Sequence, residues 1–406
     1  MIMKKIVSLF PLLIVLMAAA CGDPESDVAE QQPQSDETNE ASSVPDEEQE
    51  ETVTDGTGAG GGYYQTVIPY EISPSRGLTS SNMVSSYNVQ AFEKGLFDIS
   101  KETFSPDNFV FREGQVFTEE MVRGFLGRSY TTEEIDAMSE EEKAENNAFS
   151  NLGLNPSVNG ETDPEVIAEE SPLYLSHILE QNYMQQDENG DLNFSGMTVG
   201  LAMNSEYNYQ PDENGQTETV QLDEQEVREQ GEQMASEILE RIRANEQYQD
   251  MTIVFGIFMQ SGDTDIVPGH FLSKAVAEPG ENEISSFTET DEDYVMLPSQ
   301  EAEEISEEVN SEYQTFNRKL GSYFESFTTS VGEARFRDGE LEQLNIEIPV
   351  EYSSRGEIIG LTQYVQTLAE EHFINTNVEI SIEDKNNSYA LITKNADEEI
   401  DVHIYE

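Results

Sequence analysis

Apolar and polar residues alternate with a period of two in many parts of this chain, which predicts β-strands. "YYQTVIPYEISPSRGL" mixes aromatic and β-branched residues between Pro69 and Pro74 and predicts a strand that enters the folded body. "FVFREGQVF" at Phe109–Phe117 alternates around a turn at Glu113-Gly114. The remaining predicted strands are "MTVGLAMNSEYNY", "MTIVFGIFM", "LNIEIPVEY", "NVEISIED", "SYALITKN" and "EIDVHIYE". Because "MTIVFGIFM" is apolar on both faces, it is predicted to be a buried strand.

Apolar residues spaced by three, four or seven predict amphipathic helices elsewhere. In a helix from Asp223 to Asn245 the apolar stripe is Val227, Met234, Ile238 and Ile242, and Asp223 and Glu226 have capping-box spacing. In a helix from Glu303 the stripe is Ile305, Val309, Phe316, Leu320, Tyr323 and Phe327. Two further stripes are Leu361, Val365 and Leu368 in "GEIIGLTQYVQTLAEEHF" and Leu175, Ile178, Leu179 and Tyr183 in "SPLYLSHILEQNYM". "TTEEIDAMSEEEKAEN" predicts an exposed acidic helix with Thr132 as N-cap. The Glu303 stripe is interpreted as packing against a sheet, with a partner-binding coil as the alternative.

The order strand, loop, helix, strand occurs twice, around residues 193–260 and 341–384, which suggests a duplicated α/β unit. We therefore predict an α+β fold: two related α/β halves with mixed or antiparallel sheets and covering helices, after a disordered acidic tether. The predicted parts are a signal peptide at 1–20, the tether at 21–62, the N-terminal part of the body at 63–300 and a C-terminal α/β repeat at 301–406.

The first residues have the layout of an export signal. Lys4 and Lys5 precede a short apolar run, Ile6–Met17, and three alanines follow it. The run is shorter than the roughly 20 apolar residues that a membrane span needs. Ala18-Ala19-Ala20-Cys21 resembles a bacterial lipobox, although that pattern prefers Leu at the Ala18 position. Cleavage between Ala20 and Cys21 and acylation of the Cys21 sulfur are expected; an ordinary signal peptide with an incidental cysteine is the alternative.

Charge and composition limit the classes of function. The chain has 83 Asp and Glu against 20 Lys and Arg, a net charge of −63. Such a surface repels phosphate backbones, which argues against nucleic-acid binding. We interpret the charge as adaptation to a saline or alkaline exterior, with cation binding as the alternative. Residues 22–62 contain many acids, no Lys or Arg and no aromatic residue, and end in "GTGAGGG", which predicts a disordered tether.

Motifs for catalysis and metal binding are weak. "DENGDLN" at Asp187–Asn193 begins like a calcium loop but has Leu192 and Thr198 where the EF-hand pattern needs Gly and an acid, so a turn is the better interpretation. His177, His270, His372 and His403 share no helical turn, and no zinc pair is predicted; His177, His372 and His403 are interpreted as structural. The chain has no GxSxG, SxxK or P-loop motif, and its only cysteine is Cys21. No cofactor, metal site or catalytic residue is predicted, and an enzyme is not favoured.

Tyr63, Tyr64 and Tyr70 are concentrated in one short segment. They could line a binding cleft, but a strand that packs at the edge of the domain is the favoured interpretation.

The lipobox, the acidic tether, "YYQTVIPYEISPSRGL", "FVFREGQ", "NLGLNPS", "HILEQNY" and "VPGHFLSKA" together resemble the CamS (cAM373-type) family of sex pheromone precursor lipoproteins from Gram-positive bacteria. The resemblance covers the chain from Tyr63 onward. It implies that lipoprotein-processing enzymes cut at the cysteine and trim the leader, and that a receptor on donor cells senses the released hydrophobic peptide. The peptide expected here is formed by Ile14, Val15, Leu16, Met17, Ala18, Ala19 and Ala20.

Two hypotheses follow for the whole chain. In the first, a CamS-type lipoprotein is held on the outer face of the cell membrane through Cys21, its leader is a peptide signal and its body is not catalytic. In the second, the chain is a surface lipoprotein that binds a solute or peptide in a cleft between its two α/β halves.

Overall fold

The computed structural model describes residues 51–54, 62–78, 83–212, 215–323, 329–351, 354–396 and 400–406. The strands are β1 (Thr52–Val53), β2 (Gln65–Ile68), β3 (Val110–Glu113), β4 (Leu175–Gln186), β5 (Leu192–Met203), β6 (Glu206–Tyr209), β7 (Glu218–Gln221), β8 (Thr252–Met259), β9 (His270–Ala277), β10 (Thr288–Glu289), β11 (Glu292–Leu297), β12 (Val331–Arg337), β13 (Glu340–Pro349), β14 (Asn377–Glu383), β15 (Ser388–Lys394) and β16 (Asp401–Ile404).

The helices pack on the faces of two large sheets. They are α1 (Ser86–Thr103), α2 (Glu119–Phe125), α3 (Thr132–Ala137), α4 (Glu140–Glu145), α5 (Pro164–Glu170), α6 (Glu224–Arg243), α7 (Gln300–Ile305), α8 (Glu307–Tyr323) and α9 (Arg355–His372). None of the helices in the described part of the chain combines the length and the apolar character that crossing a bilayer requires.

The first sheet has the strand order β1-β2-β3-β4-β5-β8-β9-β10. Neighbouring strands are antiparallel except for β2 with β3 and β5 with β8, which are parallel. Helix α1 packs on one face, where Phe92, Leu96 and Phe258 are buried, and α6 packs on the other, where Ile238 and Phe255 are buried. The central strands are therefore covered on both faces, which explains why "MTIVFGIFM" is apolar throughout.

The second sheet has the order β11-β12-β13-β14-β15-β16, with one parallel pair, β13 with β14. Helices α8 and α9 contribute buried residues such as Tyr313, Phe316, Leu361 and Val365 to a single core against this sheet. The second half is thus a two-layer structure in which most of the stripe residues read from the sequence pack into this core, whereas Tyr323 is 48% exposed.

The two halves share one topology. In the first, β4, β5, β8 and β9 are adjacent, with α6 connecting the parallel pair; in the second, β12, β13, β14 and β15 are adjacent, with α9 in the same role. Both series are paired antiparallel, parallel and antiparallel. The predicted fold of two related α/β halves with mixed sheets is confirmed. The boundary at residue 300 stays a prediction; β11 at Glu292–Leu297 already belongs to the second sheet.

The predicted helix in "SPLYLSHILEQNYM" is wrong, because Leu175–Gln186 form strand β4. Ile178 is buried against the α6 side of the sheet, whereas Leu179 and Tyr183 pack on the α1 side. A central strand that is apolar on both faces contains apolar residues at spacings of three and four by chance, and these spacings resemble those of a helical stripe.

Two other predicted helices are divided in the structure. The acidic segment forms α3 and α4, capped by Thr131 rather than Thr132 and by Ser139, each with a reciprocal capping box. The helix predicted from Glu303 begins at Gln300 and is interrupted at Ser306, whose hydroxyl accepts from the N–H of Val309. In both cases a serine inside an acidic run competes for backbone N–H groups and starts a new helix. Phe327 lies outside the described residues.

Part of the segment predicted as a disordered tether has described structure. Thr52 and Val53 form β1 and pair with Val67 and Ile68 of β2. The Thr54 hydroxyl also accepts from the N–H of Thr66 at 3.0 Å. The two β-branched residues in "ETVTD" fit the pleated edge of a sheet. The interpretation of "DENGDLN" as a turn is confirmed between β4 and β5.

Candidate functional site

The residues predicted to be cleaved, acylated or released lie outside the described part of the chain. They are Ile14, Val15, Leu16, Met17, Ala18, Ala19, Ala20 and Cys21. Their roles therefore stay predictions, and the geometry below concerns the body alone.

The body contains a half-enclosed cavity of about 150 Å³ on the α1 side of the first sheet. We call it the Glu93 pocket. Helix α1, strands β3 and β4 and the segment after β2 all contribute to its walls, and its lining includes Tyr70, Arg76, Glu93, Phe97, Glu113 and Gln181. Aromatic walls with a few polar groups are typical of small-ligand sites.

Glu113, at the end of β3, organises the mouth of the pocket. Its carboxylate accepts hydrogen bonds from the Tyr70 hydroxyl at 2.7 Å and the N–H of Ser73 at 2.6 Å, and it pairs with the Arg76 guanidinium at 2.7 Å. Burial, together with this carboxylate, raises the pKa of Tyr70 to about 12. Glu113 and Arg76 therefore neutralise each other and fix the segment after β2 against the sheet.

Glu93 has a different environment, although it lines the same pocket. Its carboxylate forms no hydrogen bond or ion pair with any described residue, and burial raises the pKa of this carboxyl group. The nearby Arg76 opposes that shift. Since Arg76 is already paired with Glu113, ionisation of Glu93 gives the pocket an excess of one negative charge.

Gln181 on β4 forms part of the pocket wall and is only 3% exposed. Its side-chain oxygen accepts from the Tyr183 hydroxyl at 2.9 Å and from the Ser100 hydroxyl at 3.3 Å. Its amide nitrogen donates to no acceptor among the described residues. An amide nitrogen without a protein acceptor, on a residue that lines the cavity, is suited to bind a ligand oxygen.

The neighbouring Glu180 points to the opposite face of β4, because successive strand residues alternate. Its carboxylate accepts from the backbone N–H groups of Gln115, Val116 and Phe117, the last at 2.7 Å. Burial raises the pKa of Glu180, and these hydrogen bonds oppose the shift. A Cβ at Gly114 would lie 2.5 Å from the Glu180 Cβ, so this close approach requires glycine. Glu180 thereby holds the loop that follows Glu113.

Three segments named in the sequence analysis meet at this pocket: "YYQTVIPYEISPSRGL" through Tyr70 and Arg76, "FVFREGQ" through Glu113, and "HILEQNY" through Gln181. The sequence did not identify the pocket residues, apart from Tyr70. The available signal was the polar run Glu180-Gln181-Asn182 between apolar residues of the same segment, which the helical interpretation of that segment concealed.

The other aromatic candidates do not line the pocket. Tyr63 is 71% exposed, and Tyr64 packs against Phe97 and Tyr183 while its hydroxyl donates to the Phe104 carbonyl at 2.5 Å. The segment thus packs largely as a strand at the edge of the sheet, as the favoured interpretation states. Of its three tyrosines, Tyr70 lines the Glu93 pocket.

The histidines lie far apart in sequence and structure. His177 is fully buried in β4, and burial lowers its pKa to about 4. His372 ends α9, with Nδ1 2.6 Å from Glu312 and Nε2 2.9 Å from Lys319, and thereby joins α9 to α8. His270 is in β9 and His403 in β16. Within the described ranges, no three His, Cys, Asp or Glu side chains are arranged to hold a metal ion.

The larger cavities each belong to one half. One of about 890 Å³ is lined by α2 and the 145–153 segment, and another of about 680 Å³ by Pro298 and residues of α7 and α8. The junction between the halves is instead filled by a charged cluster: Arg335 of β12 contacts Glu292 at 2.5 Å and Asp98 of α1 at 3.3 Å. The Arg335–Asp98 pair joins the two halves, and the cleft between halves of the second hypothesis stays a prediction.

Comparisons with known proteins agree with this architecture. The family model of the CamS sex pheromone cAM373 precursor matches residues 70–400. The C-terminal domain of the sex pheromone staph-cAM373 precursor from Staphylococcus aureus is 42% identical, with a TM-score of 0.71, over 80% of this chain and 98% of that one. The sex pheromone precursor from Lactobacillus salivarius is 27% identical, with a TM-score of 0.75, over 88% of this chain and 99% of that one.

No curated protein matches the chain. The family model nevertheless spans most of the body, including every residue named above as lining the Glu93 pocket. The chain therefore belongs to the CamS sex pheromone cAM373 precursor family.

Proposed function

We propose that this chain is a CamS-type lipoprotein whose leader is the source of a short hydrophobic peptide signal. Peptidase cleavage before Cys21 and trimming release Ile14–Ala20, with the sequence IVLMAAA. Acylation of the Cys21 sulfur then holds the body on the outer face of the cell membrane. The observation that supports the proposal is the family match to pheromone precursors, on a chain whose only cysteine follows a segment with the sequence layout of an export signal.

The body is proposed to have no catalytic role. This proposal is supported by the sequence, which lacks the nucleophile and phosphate-binding motifs tested above. A two-lobed binding protein that closes on its ligand is not proposed, because the Arg335–Asp98 ion pair joins the two halves.

Membrane attachment is tested by replacing the cysteine. Each buried CH₂ of an acyl chain contributes about 0.8 kcal/mol to membrane affinity, and stable attachment requires more than one chain. We expect Cys21→Ser to move the protein from the detergent phase to the aqueous phase in detergent partitioning, whereas the control Ser35→Ala leaves it in the detergent phase. Equal partitioning of Cys21→Ser and wild type would refute the anchor.

The signalling half is tested separately. Mass spectrometry of the native protein and of the culture medium should show an acylated Cys21 N-terminus and a free fragment within Leu12–Ala20. Synthetic IVLMAAA should induce a mating response in plasmid-bearing donor cells, and a scrambled peptide of the same composition serves as the control. If no donor responds, the peptide is a degraded leader and the signalling role is wrong, even where the anchor is present.

A further inference from the structure

The Glu93 pocket combines two groups without partners in a space for one small ligand. Glu93 supplies a carboxylate that forms no ion pair with a described residue, and Gln181 supplies an amide nitrogen that donates to no acceptor among the described residues. Among the other charged residues of the lining, Arg76 and Glu113 are paired with each other at 2.7 Å, and the Glu180 carboxylate accepts from the N–H of Phe117 on the other face of β4. A ligand that satisfies both groups carries a positive charge and a hydrogen-bond acceptor close together.

The size and the walls of the pocket narrow the class of ligand. A volume of about 150 Å³ is comparable to that of an engineered cavity that binds benzene (roughly 150 Å³). Phe97, Phe111 and Leu179 supply apolar surface beside the polar groups. One amino-acid residue with a small apolar side chain fits this description, and a longer segment of peptide does not.

We propose that the Glu93 pocket binds the α-ammonium group and the adjacent carbonyl of a single small apolar residue, either as a free amino acid or as the first residue of a peptide. The ammonium donates to the Glu93 carboxylate, and the carbonyl oxygen accepts from the Gln181 amide. The side chain lies against Phe97 and Phe111. This role belongs to the body and goes beyond the proposed function of the leader.

The half-open shape of the pocket is compatible with both sources of the ligand. Tyr70 at the mouth is 49% exposed, and Ile72 just outside it is 62% exposed. A peptide whose first residue occupies the pocket would continue across these side chains, whereas a free amino acid would leave them uncovered. Binding weakens as the pH falls far enough to protonate Glu93, since its ion pair with the ammonium is then lost.

Titration calorimetry on the full body tests the proposal with three probes: tri-alanine, N-acetyl-tri-alanine and free alanine. We expect tri-alanine to bind and the acetylated peptide to bind at least tenfold more weakly, because acetylation removes the positive charge. If free alanine binds as tightly as tri-alanine, the site recognises free amino acids. If free alanine binds more weakly than tri-alanine, the site recognises the N-terminal residue of a peptide. No binding of either amine at millimolar concentration, or equal binding of the acetylated peptide, would overturn the proposal.

Variants separate the pocket from the rest of the surface. Glu93→Gln keeps the size of the side chain and should weaken tri-alanine binding at least tenfold, whereas Glu301→Gln, at an exposed position on α7, should not change it. Leu179→Phe fills the pocket and should abolish binding. Thermal unfolding checks that each variant is folded. Undiminished binding by Glu93→Gln would show that the amine binds elsewhere.

Discussion

Individual buried polar residues in β4 have opposite effects on how stability depends on pH. Glu180 has a raised pKa because burial outweighs its three backbone hydrogen bonds, so its carboxyl group favours the folded state more at low pH. His177 has a pKa lowered to about 4 by burial, so its imidazole favours folding when it is neutral. Both residues lie in the apolar run that the sequence analysis assigned to a helix.

His177 should contribute to acid sensitivity. Its folded-state pKa of about 4 lies below the ordinary 6.5, so the unfolded chain binds the proton more readily, and stability is lost as the pH falls from about 6.5 towards 4. We expect wild type to lose about 2 kcal/mol more than His177→Gln between pH 7 and pH 5, measured by urea denaturation.

The control for this prediction is the neighbouring Ile178→Val, which removes one buried methylene group without a titratable atom. It should lower the free energy of unfolding by about 1 kcal/mol at both pH values. If His177→Gln and wild type have parallel pH profiles, the histidine is not the source of the sensitivity.

Among the elements, capping side chains decide where helices begin. Thr131, Ser139, Ser299 and Asp223 each accept a hydrogen bond from a backbone N–H in the first turn of their helix. The sequence located the start of α6 correctly because Asp223 precedes a strong apolar stripe. It missed the interruptions at Ser139 and Ser306, because the exposed acidic residues around them have no periodicity that marks a boundary.

Removing the cap of α6 should destabilise the body measurably. The Asp223 carboxylate accepts from the N–H of Glu226 at 3.1 Å, and losing such a cap costs about 1 kcal/mol. We expect Asp223→Ala to lower the free energy of unfolding by this amount in urea, with an unchanged m-value. Asp223→Asn retains an accepting oxygen and should remain within a few tenths of a kcal/mol of wild type. An equal loss in both variants would indicate that charge, rather than the cap, is responsible.

For the whole molecule, the decisive feature is the charged cluster that joins the two halves. Arg335 and Glu292 are each 5% exposed and bind each other, and Glu292 also accepts from the N–H of Phe271 in β9. Lys94 of α1 donates to Gln343 of β13 at 2.5 Å, so the contacts continue along the junction. Charges in such a position bind the halves in one relative arrangement.

Disrupting this cluster on one side should be costly. Arg335→Met leaves the buried Glu292 carboxylate with only Arg337, at 3.7 Å, as a cationic partner, and breaking a buried pair in this way costs about 3–5 kcal/mol. Adding Glu292→Gln removes the uncompensated charge and should restore more than half of the loss. Chemical denaturation of the two single variants and the double variant gives the coupling energy directly. If the two losses simply add, Arg335 and Glu292 do not stabilise each other.

The sequence by itself determined the α+β class, the repeated strand–helix–strand order and most strands of the second half, because those strands have one buried face and alternate clearly. Its prediction for the leader, including Cys21, likewise depends on local composition alone. Only the tertiary structure decided that "SPLYLSHILEQNYM" is a strand, that Thr52 and Val53 extend the first sheet, and that Glu93, Glu113 and Gln181 share one pocket. A strand that is covered on both faces lacks the alternation of apolar and polar residues by which a sequence indicates a strand. Pocket residues are brought together by strand pairing between segments that are distant in the chain.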